Sequence, residues 1–305
     1  MNNSVNETAW DRFWFASECP QSVCSIRGVF CVITAIYFAS SMADVGQWYG
    51  QGDAFSQQNV ASFFATADLQ HETRWIWSPL FVLESLLGNH TWIHFAYLLV
   101  GIGLCVSVIV GKGGRIVPWL LWALFAGWAN RILFLAGTVE ILLSLCLFAC
   151  AIAPPGKAWF RRAELVDSLP SRHWTAAFSK RLLGLQLTVF GIVTWMTMLS
   201  HDVWWNGLGS IALSSQIDGS KFGPASILGT TIAHEMVTHF LALALPIGLG
   251  LAWTGWFGAS NRIAKVGLGV LLCWCLVVAV IGAHWLYAAT FATACFALLP
   301  TRRTA

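Results

Sequence analysis

Trp92–Gly111 reads WIHFAYLLVGIGLCVSVIVG, twenty residues without a single Asp, Glu, Lys or Arg. A hydrocarbon core about 30 Å thick is crossed by roughly 20 apolar residues in a helix. Inside it every backbone N–H and C=O must be satisfied within the segment, which selects helix over any open strand. Seven further apolar runs lie on either side, giving eight candidate spans: Gly28–Asp44, Trp92–Gly111, Ile116–Asn130, Ile132–Ala153, Leu182–Leu199, Ile227–Trp253, Val266–Gly282 and Trp285–Leu299. Asn130-Arg131 divides one long apolar stretch and Gly282-Ala283-His284 another, because each is too long for one span. The expected fold is an all-α polytopic transmembrane bundle.

Composition agrees. The 305 residues are 57% hydrophobic and 10% charged, against roughly 25% charged in a soluble domain. The mean hydropathy is +0.67, and the net charge is only +3. Disorder, a secreted disulfide scaffold and a basic nucleic-acid-binding domain are excluded on these figures. The expected partners are membrane lipids and a hydrophobic small molecule, with no nucleic acid.

The basic residues set an orientation. With both termini cytoplasmic, alternate loops collect Arg12, Arg27, Lys112, Arg115, Lys157, Arg161, Arg162, Arg172, Lys180, Arg181, Arg262, Lys265, Arg302 and Arg303, fourteen of the seventeen. The opposite loops hold only Arg74, Arg131 and Lys221. Positive-inside bias of this kind orients polytopic proteins. The outer segments Gly46–Thr91 and Ser200–Ala225 are long. The first contains the apolar Trp75–Phe81 stretch, expected at the interface, and the second contains Trp204 and Trp205. No repeat or linker divides the chain, so residues 1–305 read as a single domain. The first apolar run lacks a small-residue cleavage site and reads as a span rather than a signal peptide.

Seven of the nine cysteines lie in apolar runs and read as small buried hydrophobes. Only Cys19 and Cys24 lie in a polar flank where they could pair, and Cys273 with Cys275 cannot by themselves build a metal site. Three glycosylation sequons, at Asn2, Asn6 and Asn89, are short enough to arise by chance.

The chemistry-bearing candidates are few. His234-Glu235-Met236-Val237-Thr238-His239 suggests a zinc protease helix, but that motif needs its histidines at i and i+4. At i+5 they diverge by about 140° around a helix, so no metal site is expected. Glu235 stands in a predicted span, where a carboxyl is costly unless it faces a cavity or a polar partner. Either it is buried facing a polar cavity, or it lies nearer the interface than the span boundaries put it or in a buried polar contact. Asn130, Arg131 and Glu140 form a second polar group, read as an Arg131–Glu140 ion pair. Asp202 beside His201, with Trp204 and Trp205, suggests either an outer pocket or a solvated loop. No phosphate loop, dinucleotide fingerprint or nucleophile elbow is present.

In their order these segments resemble the HTTM (horizontally transferred transmembrane) family, the membrane domain of vitamin K-dependent gamma-carboxylase and of many bacterial proteins. The resemblance covers about residues 25 to 300. It is carried by Ser25-Ile26-Arg27-Gly28, Trp48-Tyr49-Gly50-Gln51-Gly52-Asp53, Trp128-Ala129-Asn130-Arg131 and Trp159–Asp167. Further along come Arg181-Leu182-Leu183-Gly184-Leu185-Gln186-Leu187, Trp204-Trp205-Asn206-Gly207, His234-Glu235-Met236 and Asn261-Arg262. It implies an outward-facing pocket of Glu235, His234, Asn130, Arg131, Met198, Asp202, Trp204 and Trp205 in a bacterial cytoplasmic membrane protein. Where the carboxylase has its lysine base, this chain has Met198; the helper histidines align near Arg131 and Cys273. Vitamin K-dependent carboxylation is accordingly not expected. A lipid or quinone-like ligand in the retained pocket is the first functional expectation. An enzyme of altered chemistry, using Glu235, His234 or Asp202 as acid or base, is the second. A transporter or assembly subunit is the third.

Overall fold

The computed structural model describes residues 8–15, 18–49, 59, 62, 78–88, 90–132, 137–156, 173–214, 231–256 and 261–299. Outside them lie Trp75–Trp77 of the expected interfacial stretch, the basic loop 157–172, residues 215–230 and most of the motif at 48–53. The described elements are helices: α1 (Ala9–Phe15), α2 (Gln21–Trp48), α3 (Pro79–Leu87), α4 (Thr91–Val110), α5 (Ile116–Arg131) and α6 (Thr138–Ile152). There follow α7 (Trp174–Leu199), α8 (Asp202–Trp205), α9 (Gly209–Ser214), α10 (Thr231–Trp253), α11 (Asn261–Gly282) and α12 (Trp285–Cys295). Five of these, α2, α4, α7, α10 and α11, are long and apolar enough to cross a membrane.

Some helices outrun the apolar runs that announced them, while α6 and α12 fall short of theirs. α2 extends the run at Gly28–Asp44 in both directions, and α7 begins at Trp174 rather than Leu182. Lys180 and Arg181, expected in a loop, are helical and buried. Glu18 accounts for this: its carboxylate lies 3.2 Å from Arg181 Nη2 and 3.8 Å from Lys180 Nζ, while both cations sit over the Trp256 ring.

The chain forms two compact units, Met1–Ile26 with Pro170–Ala305, and Arg27–Leu169. Their boundary falls inside α2, where a continuous helix leaves no polar linker for the sequence to display. In the unit 27–169 the core is built from Phe30, Phe38, Leu98, Leu121, Phe125, Trp128, Leu142 and Leu143. α2 and α4 meet closely at Gly101, where a Cβ would stand 2.8 Å from Phe38 Cδ2. In the other unit, Trp274 of α11 donates its indole N–H to the Leu241 carbonyl of α10 at 3.0 Å, beside Leu245, Leu271 and Phe291.

The chain breaks between α11 and α12 at the residues the sequence predicts. Ala283 sits there at φ 51°, the left-handed region that costs an L-residue with a Cβ roughly 1–2 kcal/mol. Ala283→Gly relieves that strain. It is expected to raise the stability of the detergent-solubilised chain by about 1 kcal/mol in thermal unfolding, after allowance for glycine's extra unfolded-state freedom. An unchanged or lowered midpoint would contradict a strained turn.

Candidate functional site

The densest polar chemistry among the described residues lies in the unit 27–169. Glu84 of α3 presents Oε1 to Arg131 Nε at 2.8 Å and to His94 Nε2 at 2.9 Å, and all three side chains are shielded from solvent. Tyr49 stacks on the His94 ring at 5.1 Å between centroids, and the Arg131 guanidinium lies over the Tyr49 and Phe81 rings at 5.4 and 5.3 Å. Local sequence explains the placement. Ser78 caps α3 by accepting from Leu80 N and donates to the Gly127 carbonyl, which ties α3 to α5. Gly127 is required there, since a Cβ would run into Pro79 and the Tyr97 hydroxyl.

Burial acts to raise the Glu84 pKa, but the hydrogen bond from His94 and the Arg131 charge outweigh it and hold the carboxyl below its ordinary value. Glu84 is thus a carboxylate stabilised by its partners. Glu84 Oε2 and His94 Nδ1 are buried without a hydrogen-bond partner among the described residues.

The expected Arg131–Glu140 ion pair does not form. Glu140 instead accepts from the Tyr37 hydroxyl at 2.7 Å and from Gly137 N at 2.7 Å, the second bond closing the amino end of α6. Helix-face arithmetic assumed that α5 and α6 turn tightly into each other. The six residues between them let Glu140 cap its own helix while α3 supplies the acid to Arg131. Beside Glu140, α5 and α6 leave a half-open groove of about 240 Å3 lined by Ala126, Ala129, Asn130, Glu140, Ile141, Ser144 and Leu145. Small side chains on both helices make that space.

Asn130 and Arg131 belong to this unit, and Met198, Asp202, Trp204, Trp205, His234 and Glu235 to the other. There, Glu235 is exposed rather than buried. It is the fifth residue of α10, and Gly207 makes room for its stem. Gly207 has φ 74°, and a Cβ on it would stand 2.6 Å from Glu235 Cγ. His234 is buried, with Nδ1 2.9 Å from Ser210 Oγ, whereas His239 is exposed and donates through Nδ1 to the Glu235 carbonyl. The two imidazoles thus lie in different surroundings, one buried and one exposed.

Ser210 Oγ lies 2.9 Å from His234 Nδ1 and 3.0 Å from the His234 carbonyl oxygen, which anchors the short α9 to α10. Thr238 completes a structural lock, accepting from Ser210 N, with its one hydroxyl proton within reach of both the His234 carbonyl at 2.8 Å and the Gly207 carbonyl at 3.0 Å. Asp202 opens the short α8 and is exposed. Trp205 is exposed with its N–H on the Leu199 carbonyl, Trp204 packs on Gly209, and Met198 is half-buried.

Sequence reasoning missed Glu84, His94, Ser210 and Thr238. For the first two a signal existed: His94 is the lone ionisable residue of the WIHF stretch, and ionisable groups inside apolar runs mark buried partners. No protein-family model, curated protein or solved structure matches this chain.

Proposed function

We propose that this protein is an eight-span, HTTM-like membrane protein with Met1 and Ala305 on the cytoplasmic side. In this reading it holds a lipid or quinone-like ligand in the α5–α6 groove without carboxylase chemistry. The observation that carries the ligand reading is the groove itself, apolar along Ala126, Ala129, Ile141 and Leu145 and polar at Asn130 and Glu140. At about 240 Å3 it is smaller than the roughly 300–1,000 Å3 of drug-sized sites. It therefore suits a headgroup with a short length of chain, the rest of the molecule lying in the bilayer.

Exposed tryptophans support the eight-span orientation. Trp92 and Trp285 start α4 and α12, and Trp205 follows α7, which the reading puts at the outer headgroups. Trp10, Trp119 and Trp174 fall at the opposite ends, with Arg115 and Lys112 nearby. Reporter fusions at Ala305 and within the loop 157–168 should both register cytoplasm; an external signal at either would refute the topology.

For the ligand, mass spectrometry of the gently solubilised full chain is expected to detect a co-purifying lipid or quinone. Ala129→Trp fills the groove and should cut its occupancy about tenfold, a loss of 1.4 kcal/mol of binding. Leu99→Trp, on the exposed surface of α4, should leave it unchanged. Equal retention in both variants would remove the groove as the site.

A further inference from the structure

We infer that the turn between α4 and α5 is a phosphate site, suited to the headgroup of an anionic lipid. The turn reads Gly111-Lys112-Gly113-Gly114-Arg115, and its three glycines stand at φ 77°, 88° and 59°. This left-handed path folds the turn back tightly and leaves a cleft of about 10 Å3 lined by Arg27, Lys112, Gly111, Gly114 and Gly156, with Val108 and Pro118. That volume admits one oxygen atom, which is what a phosphate tip presents.

Arg27 is the built part of the cleft. It is buried at 3% exposure, and its guanidinium is fixed by donating to the Pro154 carbonyl at 3.0 Å and the Gly156 carbonyl at 2.9 Å. Lys112 and Arg115 are exposed and form no ion pair among the described residues. No Asp or Glu occurs anywhere between Glu84 and Glu140, so neither α4 nor α5 offers these cations a carboxylate. α5 also begins without a side-chain cap or an acid in its first turn, which leaves the positive end of a sixteen-residue helix facing the same cations. The local field therefore asks for an anion from outside the hairpin. Ile116, Trp119 and Leu120 are exposed and apolar just beyond the cleft. A phosphate carrying acyl chains satisfies both surfaces at once, and free phosphate satisfies only the first.

The test titrates phosphatidylglycerol and phosphatidylcholine separately onto the detergent-solubilised full chain, with binding read by native mass spectrometry. Phosphatidylglycerol is expected to bind more tightly. The Lys112→Gln/Arg115→Gln pair should weaken that binding about thirtyfold, from roughly 1 kcal/mol for each basic side chain near an anionic headgroup. Lys112→Arg/Arg115→Lys should retain it. Both residues are exposed, so the melting midpoint should not move in either variant. Competition by inorganic phosphate would assign the site to the oxyanion alone, and failure to compete would assign it to the intact lipid. Equal binding of the two lipids, or an unaffected Gln/Gln variant, overturns the proposal.

Discussion

Arg131→Met is expected to destabilise the solubilised protein by about 3–5 kcal/mol, the usual effect of stripping one partner from a buried ion pair. The cause is the charge left behind. Glu84 is completely shielded, and without Arg131 its carboxylate keeps only the His94 bond, with Oε2 already unpartnered. The double variant Glu84→Leu/Arg131→Met removes both charges and should recover most of the loss, because apolar replacement of a whole buried pair is commonly close to neutral. If the double variant melts lower than Arg131→Met alone, the pair is not what limits stability.

The same site fixes a pH dependence. Glu84 is held below its ordinary value in the folded chain, so its contribution is fully present above the unfolded carboxyl pKa of about 4.3 and is lost as pH falls through the lower folded value. The melting midpoint of the wild type should thus decline below about pH 4. Glu84→Gln should be the less stable protein at neutral pH, and its deficit should shrink over that acid range. A deficit that stays constant with pH would mean that the carboxylate is not held by its partners.

Gly267→Val is expected to prevent α10 and α11 from packing, with the variant lost from the folded, monodisperse fraction. At Gly267 a Cβ would run into the Ala252 backbone nitrogen and lie 2.8 Å from the Gly248 carbonyl oxygen and 2.7 Å from Leu251 Cβ. Overpacking that side chains can relieve costs about 1–3 kcal/mol. Here the obstacle is main chain, which cannot turn aside without separating the helices. Small residues bring membrane helices close in this way because dispersion and main-chain contacts, not water, drive their association. Gly269, two residues along α11, has nothing within 4 Å of its would-be Cβ. Gly269→Ala should therefore be neutral or stabilising by up to about 1 kcal/mol. Equal behaviour of the two substitutions would show that close packing at Gly267 is not required.

Apolar run length by itself determined that this chain is helical and built for a membrane. Hydrocarbon solvates no backbone group, so a run such as Trp92–Gly111 has one low-energy conformation whatever surrounds it. The breaks after Arg131 and at Ala283-His284 were legible for the same reason, since a polar interruption in a long apolar run ends a helix. Helix ends were less so. Lys180 and Arg181 read as loop because their burial depends on Glu18, more than 160 residues away in the chain. Pairing was decided only in three dimensions. The sequence suggested Glu140 for Arg131 because the two lie nine residues apart, whereas the structure uses Glu84, brought in by the Ser78 cap and the glycine gap at Gly127. Glu235 is exposed, which residue order alone could not decide, because the cost of a carboxyl in a span only says that it needs a polar surrounding and not which one. Local chemistry fixes where a helix forms, and close approach between helices fixes which charges meet.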